Sequence, residues 1–159
     1  MTSPTAIDEL YVQAVLWLVD ERGLEPVVRA ACDALVAGLD GAELQSLAAL
    51  SVHSSSYDSE VDQTVRAALA EQGRPLPPRG SDEATEAAVR AMAREALRGR
   101  WIPRELAAWA HRVIGHSGPA LAQPLVNLDD CYDALDYSGD TEADLDAQVL
   151  SFCGSVVTD

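Results

Sequence analysis

Prolines and glycines divide this chain into segments in which apolar residues recur every three or four positions. The first segment ends at Gly23, and its apolar stripe consists of Ile7, Leu10, Tyr11, Ala14, Trp17 and Leu18. Such spacing places apolar side chains on one face of an α-helix. The alternation of apolar and polar residues that a half-buried strand requires never extends beyond four residues. The sequence therefore predicts an all-α fold, an irregular bundle of seven to eight short helices.

Residues that favour helix starts stand ahead of these segments. Serine, threonine and aspartate cap a helix because their side-chain oxygens accept hydrogen bonds from free N–H groups of the first turn. Proline suits the first turn because it has no N–H group to leave unpaired. The predicted starts are Ser3-Pro4, Pro26, Ser81 and Pro103, with capping boxes at Asp40 with Glu43 and at Thr141 with Asp144. We expect a loop from Gly115 to Pro124 and then a short helix around residues 129–137.

One stretch, RPLPPRGS at residues 74–81, holds three prolines and a glycine and cannot be helical. We expect it to form an extended link. A chain of 159 residues is long enough to bury one core of its own. The prediction is a single helical domain over residues 1–159, with this link between two halves.

Acidic and basic residues occupy separate parts of the chain, which has no lysine and a formal net charge of −15. Residues 1–73 hold 12 acidic residues and 3 arginines, residues 74–112 hold 8 arginines and 5 acidic residues, and residues 113–159 hold 9 acidic residues and no arginine. We expect the arginines to pair with the flanking carboxylates. The overall field repels nucleic acid and anionic membranes, and it attracts basic proteins or cations.

No stretch approaches the 18 apolar residues of a membrane-spanning helix, and Asp8 and Glu9 stand where a signal peptide would be basic. We therefore expect a cytoplasmic protein, and the alanine- and arginine-rich composition suggests a high-GC bacterial genome. The isolated cysteines Cys32, Cys131 and Cys153 form no CxxC pair. We expect them to be reduced and mostly buried thiols.

Three aspartates near the C-terminus, Asp129, Asp130 and Asp133, have the spacing DDxxD. Residues three and four apart share one surface of a helix, and clustered carboxylates can hold Mg²⁺, which in turn binds diphosphates. Residues 129–133, DDCYD, resemble the aspartate-rich motif of terpene and prenyl synthases, which are also all-helical. The resemblance implies that the three aspartates are metal ligands in an enzyme that acts on diphosphates.

The same acidic segment, residues 129–146, can instead be a surface that binds another protein. Carboxylates three or four residues apart repel each other, and this segment contains no basic residue. A basic partner would relieve that repulsion, and aromatic side chains within the segment would anchor it. The predicted contact residues are Asp129, Asp130, Tyr132, Asp133, Asp136 and Tyr137.

Two histidines, His111 and His116, flank the predicted end of the sixth helix. They can hydrogen-bond the free carbonyls at the helix end, or they can bind a metal ion such as zinc if a carboxylate joins them. Their spacing is not that of HExxH, and no EF-hand glycine or glycine-rich phosphate loop occurs. GHSGP at residues 115–119 lacks the GxSxG spacing of a serine hydrolase.

Two longer stretches, ACDALVAGLDGAELQSLAAL at residues 31–50 and GRWIPRELAAWAHRVIGHSGPALAQPLVNLDDCYD at residues 99–133, resemble a group of small helical proteins of high-GC bacteria. The piece GRWIPRELAAWAHR is also similar to helix openings in small helical colicin-type immunity proteins. This second resemblance implies an inhibitor of a basic nuclease toxin, for which an acidic surface increases association rate and specificity.

Two functions follow from these patterns. The first is a non-catalytic acidic protein-binding module, an immunity-type inhibitor or adaptor that engages a basic partner and needs no cofactor. The alternative is a small enzyme or sensor that uses Mg²⁺ or another divalent cation at the DDxxD residues for phosphate or diphosphate chemistry. His111 and His116 are further candidate ligands in that alternative.

Overall fold

The structure, a computed structural model, describes residues 5–53 and 58–158. Within these ranges it contains eight α-helices: α1 (Ala6–Leu18), α2 (Leu24–Val36), α3 (Ala42–Ala48), α4 (Ser59–Glu71), α5 (Asp82–Leu97), α6 (Pro103–Val113), α7 (Gln123–Asp133) and α8 (Glu142–Val157). Two 3₁₀ turns, Ala120–Ala122 and Leu135–Tyr137, flank α7. No strand occurs in the described ranges, and the all-α prediction is confirmed.

The chain divides into two compact units, Met1–Ala84 and Thr85–Asp159. In the first unit α1 packs on α2, α2 on α3, and α3 on α4. In the second unit α6, α7 and α8 pack against one another. The division falls within α5, beyond the proline-rich link at 74–81. That link therefore belongs to the first unit.

Side chains of the first unit hold the proline-rich link in place. Nη1 of Arg66 donates to the carbonyls of Leu76 and Pro77, at 3.3 and 2.9 Å. The Leu76 side chain packs against the apolar core of this unit. Nη1 of Arg79 donates to the carbonyl of Leu18, and its guanidinium lies 4.6 Å from the ring centre of buried Trp17. The bonds from Arg66 satisfy two carbonyls of a link that is not helical, and the other contacts attach the link to α1 and the core of this unit.

Several predicted helix starts are confirmed. Pro103 begins α6, and the Ser81 hydroxyl accepts a hydrogen bond from the N–H of Ala84 at the start of α5. Thr141 and Asp144 form the expected capping box of α8. The Ser3-Pro4 start lies outside the described residues. A capping box of Thr5 with Asp8 begins α1. The Asp8 carboxylate accepts hydrogen bonds from Thr5 and from Arg74, and these bonds, that from Thr5 most strongly, lower the pKa of Asp8 below its usual range.

Two other expectations about helix starts are wrong. Gly41 caps α3 without a side-chain hydrogen bond, so Asp40 and Glu43 do not form a capping box. The last helix before the acidic turn begins at Gln123 instead of near residue 129. Pro124 explains the earlier start, because proline is favoured in the first turn of a helix and here lies in the first turn of α7.

Most of the arginines pair with carboxylates, as expected from the charge distribution. Pairs join the basic block to the flanking acidic blocks at Arg74–Asp8, Arg79–Asp20 and Arg104–Glu142. Inside the basic block, the buried carboxylate of Glu95 lies 3.0 Å from both Arg98 and Arg100. Because Glu95 is nearly inaccessible to water, these two partners offset the cost of burying its charge.

The cysteines differ in exposure. Cys153 is fully buried on α8, and burial raises the pKa of its thiol to about 11. Cys32 and Cys131 are exposed, so the expectation of mostly buried thiols is wrong for these two. All three are free thiols. None of the helices in residues 5–53 and 58–158 has the length and apolar character that crossing a bilayer would require.

Candidate metal centre

Two histidines and two aspartates of the second unit lie together where α6 ends. His111 occupies the last turn of α6, His116 follows in the next turn, and Asp129 and Asp130 are neighbours on α7. One metal-binding atom each of His111, His116 and Asp130 lie within 4.8 Å of one another. The two imidazole rings meet edge to face, with centroids 4.9 Å apart and planes at 71°. This is the set that we call the His–Asp cluster: His111, His116, Asp129 and Asp130.

The carboxylates of Asp129 and Asp130 differ in their distances from the histidines and in their exposure to solvent. Oδ2 of Asp129 lies 2.8 Å from Nδ1 of His111, a hydrogen bond. Asp130 lies farther from that nitrogen, at 3.6 Å, and its Oδ2 is 3.2 Å from Nε2 of His116. The side chain of Asp129 is 16 % exposed and that of Asp130 is 51 % exposed. Asp130 is therefore the more exposed carboxylate and lies near both histidines, whereas Asp129 is largely buried and hydrogen-bonded to His111.

Packing of α6 on α7 brings these residues together although 18 positions separate His111 from Asp129. The two helices bury apolar stripes that comprise Leu106, Trp109 and Ala110 on α6 and Leu125, Val126 and Leu128 on α7. His111 directly follows the α6 stripe, and Asp129 directly follows the α7 stripe. Both are partly buried at the margin of the core, and this position limits the motion of their side chains.

The turn that carries His116 is held by its own hydrogen bonds. Gly115 has φ +68°, and its N–H donates to the carbonyl of Ala110, so the chain reverses at the end of α6. Glycine adopts this left-handed backbone conformation more readily than other residues do. The side-chain amide of Gln123 then donates to the carbonyls of Gly115 and Gly118, at 3.1 and 3.2 Å. A Cβ on Gly118 would collide with Cγ2 of Ile114, so the turn approaches the end of α6 closely at this glycine.

The remaining predicted site residues lie apart from the His–Asp cluster. Asp133 ends α7 and Asp136 lies in the following 3₁₀ turn, and both are exposed. Asp133 is not among the ligand atoms that converge in the described part of the chain. The structure thus brings Asp130 of the DDxxD motif to the two histidines and leaves Asp133 outside. Tyr137 is 93 % exposed at the end of the 3₁₀ turn.

Tyr132 is buried, which corrects its assignment as an exposed aromatic anchor. Its hydroxyl donates a 2.6 Å hydrogen bond to Asp146, and the guanidinium of Arg104 lies 5.4 Å from its ring centre. Burial, and then the hydrogen bond to Asp146, raise the pKa of the Tyr132 phenol. The helical period explains the burial, because Tyr132 lies four residues after Leu128 on the inner face of α7.

One residue that contributes to this site was not foreseen from the sequence. Gln123 lies in the first turn of α7, and its side chain holds the turn that carries His116. A glutamine at a helix start has no special signature, and its acceptors are backbone carbonyls. Its role therefore becomes visible only in three dimensions.

Comparison of the chain with protein-family models, with curated proteins and with solved structures gives no significant match. The side chains of the site itself are therefore the basis for a proposed function.

Proposed function

We propose that this protein binds a divalent transition-metal ion through His111, His116 and Asp130. The observation that supports this proposal is the convergence of three ligand atoms within 4.8 Å on one side of the α6–α7 pair. Bonds of about 2.0–2.2 Å to a tetrahedral ion place its ligand atoms roughly 3.4 Å apart. The ligand atoms, which lie up to 4.8 Å apart, must therefore move closer together to bind the ion. Because the three side chains are about one third exposed or more, small rotations about their χ angles can bring the atoms to this spacing.

The chemistry of the donors favours one class of metal. Two imidazole nitrogens and one carboxylate oxygen suit Zn²⁺, Co²⁺, Ni²⁺ or Fe²⁺, whereas Mg²⁺ and Ca²⁺ prefer ligand sets made of oxygen. This differs from the Mg²⁺ site suggested by the DDxxD spacing, since the site uses one aspartate of that motif and two histidines. Three protein ligands also leave a coordination position towards the solvent, which suits reversible binding in a metal-responsive or metal-storing protein.

The local structure lowers the cost of binding. His111 is held by Asp129, and the turn that carries His116 is held by Gln123. Ligands that are already near their bound positions lose less conformational freedom when the ion arrives. The two carboxylates also give the site a negative potential that attracts a cation.

Isothermal titration calorimetry with ZnCl₂, CoCl₂ and MgCl₂ tests the proposal. We expect one Zn²⁺ or Co²⁺ per chain and much weaker binding of Mg²⁺. Loss of a residue that only hydrogen-bonds to a metal ligand lowers metal affinity by roughly 10- to 100-fold. Because His116 is itself a proposed ligand, His116→Ala should lower the affinity for Zn²⁺ by more than that. His53→Ala is the matched control, because His53 is an exposed histidine in a different unit.

The proposal fails if the unaltered protein binds neither Zn²⁺ nor Co²⁺. It also fails if His116→Ala and His53→Ala affect the affinity equally, since binding would then depend on exposed histidines in general.

A second candidate function is the binding of a basic protein partner, as an immunity-type inhibitor or adaptor would do. Tyr137 is 93 % exposed, and the nearby carboxylates of Asp133, Asp136 and Asp140 make no hydrogen bond or ion pair through their side chains within the described ranges. Exposed tyrosines are frequent binding hot spots, and unpaired carboxylates favour a cationic partner. The surface formed by Asp133, Asp136, Tyr137 and Asp140 does not include Tyr132 and shares no residue with the His–Asp cluster.

An arginine-rich peptide with a fluorescent label is the probe for this second function. Joint replacement of Asp133, Asp136 and Asp140 by Asn should weaken its binding more than joint replacement of Glu60, Glu83 and Glu105 by Gln. Both triple variants remove three negative charges, so equal losses would indicate a general charge effect and would contradict a specific surface.

A further inference from the structure

Asp129 differs from the other members of the His–Asp cluster because its side chain is largely buried and forms a short hydrogen bond with His111. Its Oδ2 accepts the hydrogen bond from Nδ1 of His111 at 2.8 Å. It is absent from the three residues whose ligand atoms converge. The side chain is thus hydrogen-bonded to Nδ1 of His111, the nitrogen that Asp130 approaches to 3.6 Å, but it lies outside the group of three converging ligand atoms.

A carboxylate in this position determines which nitrogen of the imidazole can bind a metal. A carboxylate accepts hydrogen bonds and does not donate them, so the proton of a neutral His111 resides on Nδ1. The lone pair then resides on Nε2, the other ring nitrogen. Hydrogen bonding of this kind also fixes the orientation of the imidazole ring.

We propose that Asp129 is a positioning residue of the metal site, which holds His111 through Nδ1 so that Nε2 binds the ion. This inference rests on the metal-binding function proposed above. It assigns different roles to two adjacent aspartates: Asp130 binds the metal and Asp129 orients a ligand. The distances support the division, because Asp130 is 0.8 Å farther than Asp129 from Nδ1 of His111 and also lies beside His116.

Burial supports the same assignment. The Asp129 side chain is three times less exposed than that of Asp130, so it is less able to rotate towards an ion at the surface. A partly buried hydrogen bond to a charged acceptor is also stronger than an exposed one. His111 is therefore already held in one orientation before the ion binds.

Three substitutions on α7 separate positioning from direct ligation. Asp129→Ala removes the acceptor, Asp129→Asn keeps an oxygen that can accept from Nδ1–H, and Asp133→Asn removes a carboxylate outside the cluster. The measurements are the Zn²⁺ dissociation constant, from competition with a chelating dye, and the visible absorption spectrum of the Co²⁺-saturated protein. The spectrum reports the number and type of ligands.

We expect Asp129→Ala to weaken Zn²⁺ binding by about 10- to 100-fold. Asp129→Asn should recover most of that loss, and Asp133→Asn should resemble the unaltered protein. The Co²⁺ spectrum at saturation should keep its shape in all three variants, because the ligands themselves are unchanged.

Two results would overturn the inference while leaving the metal site in place. Unchanged affinity in Asp129→Ala would show that the hydrogen bond to His111 does not support binding. A changed Co²⁺ spectrum in Asp129→Asn would show that Asp129 is itself a ligand. Absence of Zn²⁺ and Co²⁺ binding by the unaltered protein would overturn both this inference and the proposed function.

Discussion

The carboxylate of Glu71, the last residue of α4, accepts a 3.0 Å hydrogen bond from the backbone N–H of Leu44 in the first turn of α3. It accepts a second one, at 3.1 Å, from the N–H of Glu43. The first N–H groups of a helix have no partner within the helix, and a negative charge there also interacts favourably with the helix dipole. One side chain of α4 thus caps a neighbouring helix whose own N-cap residue, Gly41, has no side chain to do so.

Replacement of Glu71 by Ala should lower the free energy of unfolding by about 1 kcal/mol, the usual cost of losing a helix cap. Urea denaturation followed by circular dichroism measures this loss. Glu43→Gln is the matched control, because it removes a nearby exposed carboxylate but keeps the backbone N–H that Glu71 binds. Equal losses in the two variants would attribute the effect to charge and not to capping.

Gly41 should be sensitive to substitution for a related reason. Its φ is +150°, and a Cβ there would overlap with the Glu71 carboxylate. We expect Gly41→Ala to destabilise the protein by strain and by displacing the cap. In the Glu71→Ala background the loss of the cap has already occurred, so Gly41→Ala should cost less there than in the unaltered protein. Additive losses would contradict this coupling.

Stability should fall in alkaline solution because of Cys153. Burial raises its folded-state pKa to about 11 from an ordinary value of 9.0, so the unfolded thiol ionises first as the pH rises. The stability that depends on the neutral buried thiol is fully present below about pH 9 and is lost between about pH 9 and 11, by about 2 kcal/mol. Urea denaturation at several pH values should show a smaller decline for Cys153→Ala. Cys131→Ala, at an exposed thiol, should decline like the unaltered protein, and the reverse order would contradict the assignment.

Gln123 should influence metal affinity without contacting the ion. Gln123→Ala removes both hydrogen bonds to the turn that carries His116. We expect weaker Zn²⁺ binding, by about 10-fold, with an unchanged Co²⁺ spectrum, because His116 becomes less restricted but remains a ligand. Gln148→Ala, at an exposed glutamine of α8, should bind Zn²⁺ as the unaltered protein does. Equal affinities in the two variants would show that the turn does not need the Gln123 amide.

Much of the fold follows from local sequence patterns. Pro103 begins α6, Ser81 caps α5, and Thr141 with Asp144 begins α8, because each of these residues acts on its own first turn. The start of α3 could not be predicted in the same way. Its cap is provided by Glu71, some 27 residues later, so the pattern at Asp40 and Glu43 was misleading.

The site was only partly predictable for the same physical reason. His111, His116 and the aspartates were all candidates for metal binding, but the helical spacing of DDxxD favoured a cluster of three aspartates. The packing of α6 on α7 instead joins Asp129 and Asp130 to histidines that lie more than a dozen residues earlier. The burial of Tyr132 was also missed, because its inward direction depends on the true start of α7 at Gln123.

Anomalous diffraction at the zinc absorption edge, from crystals of the protein loaded with one equivalent of Zn²⁺, tests the metal site most directly. We predict one strong anomalous peak within about 2.0–2.2 Å of a nitrogen of His111, a nitrogen of His116 and an oxygen of Asp130. A peak on other side chains, or no ordered zinc in crystals that contain the ion in solution, would contradict the account.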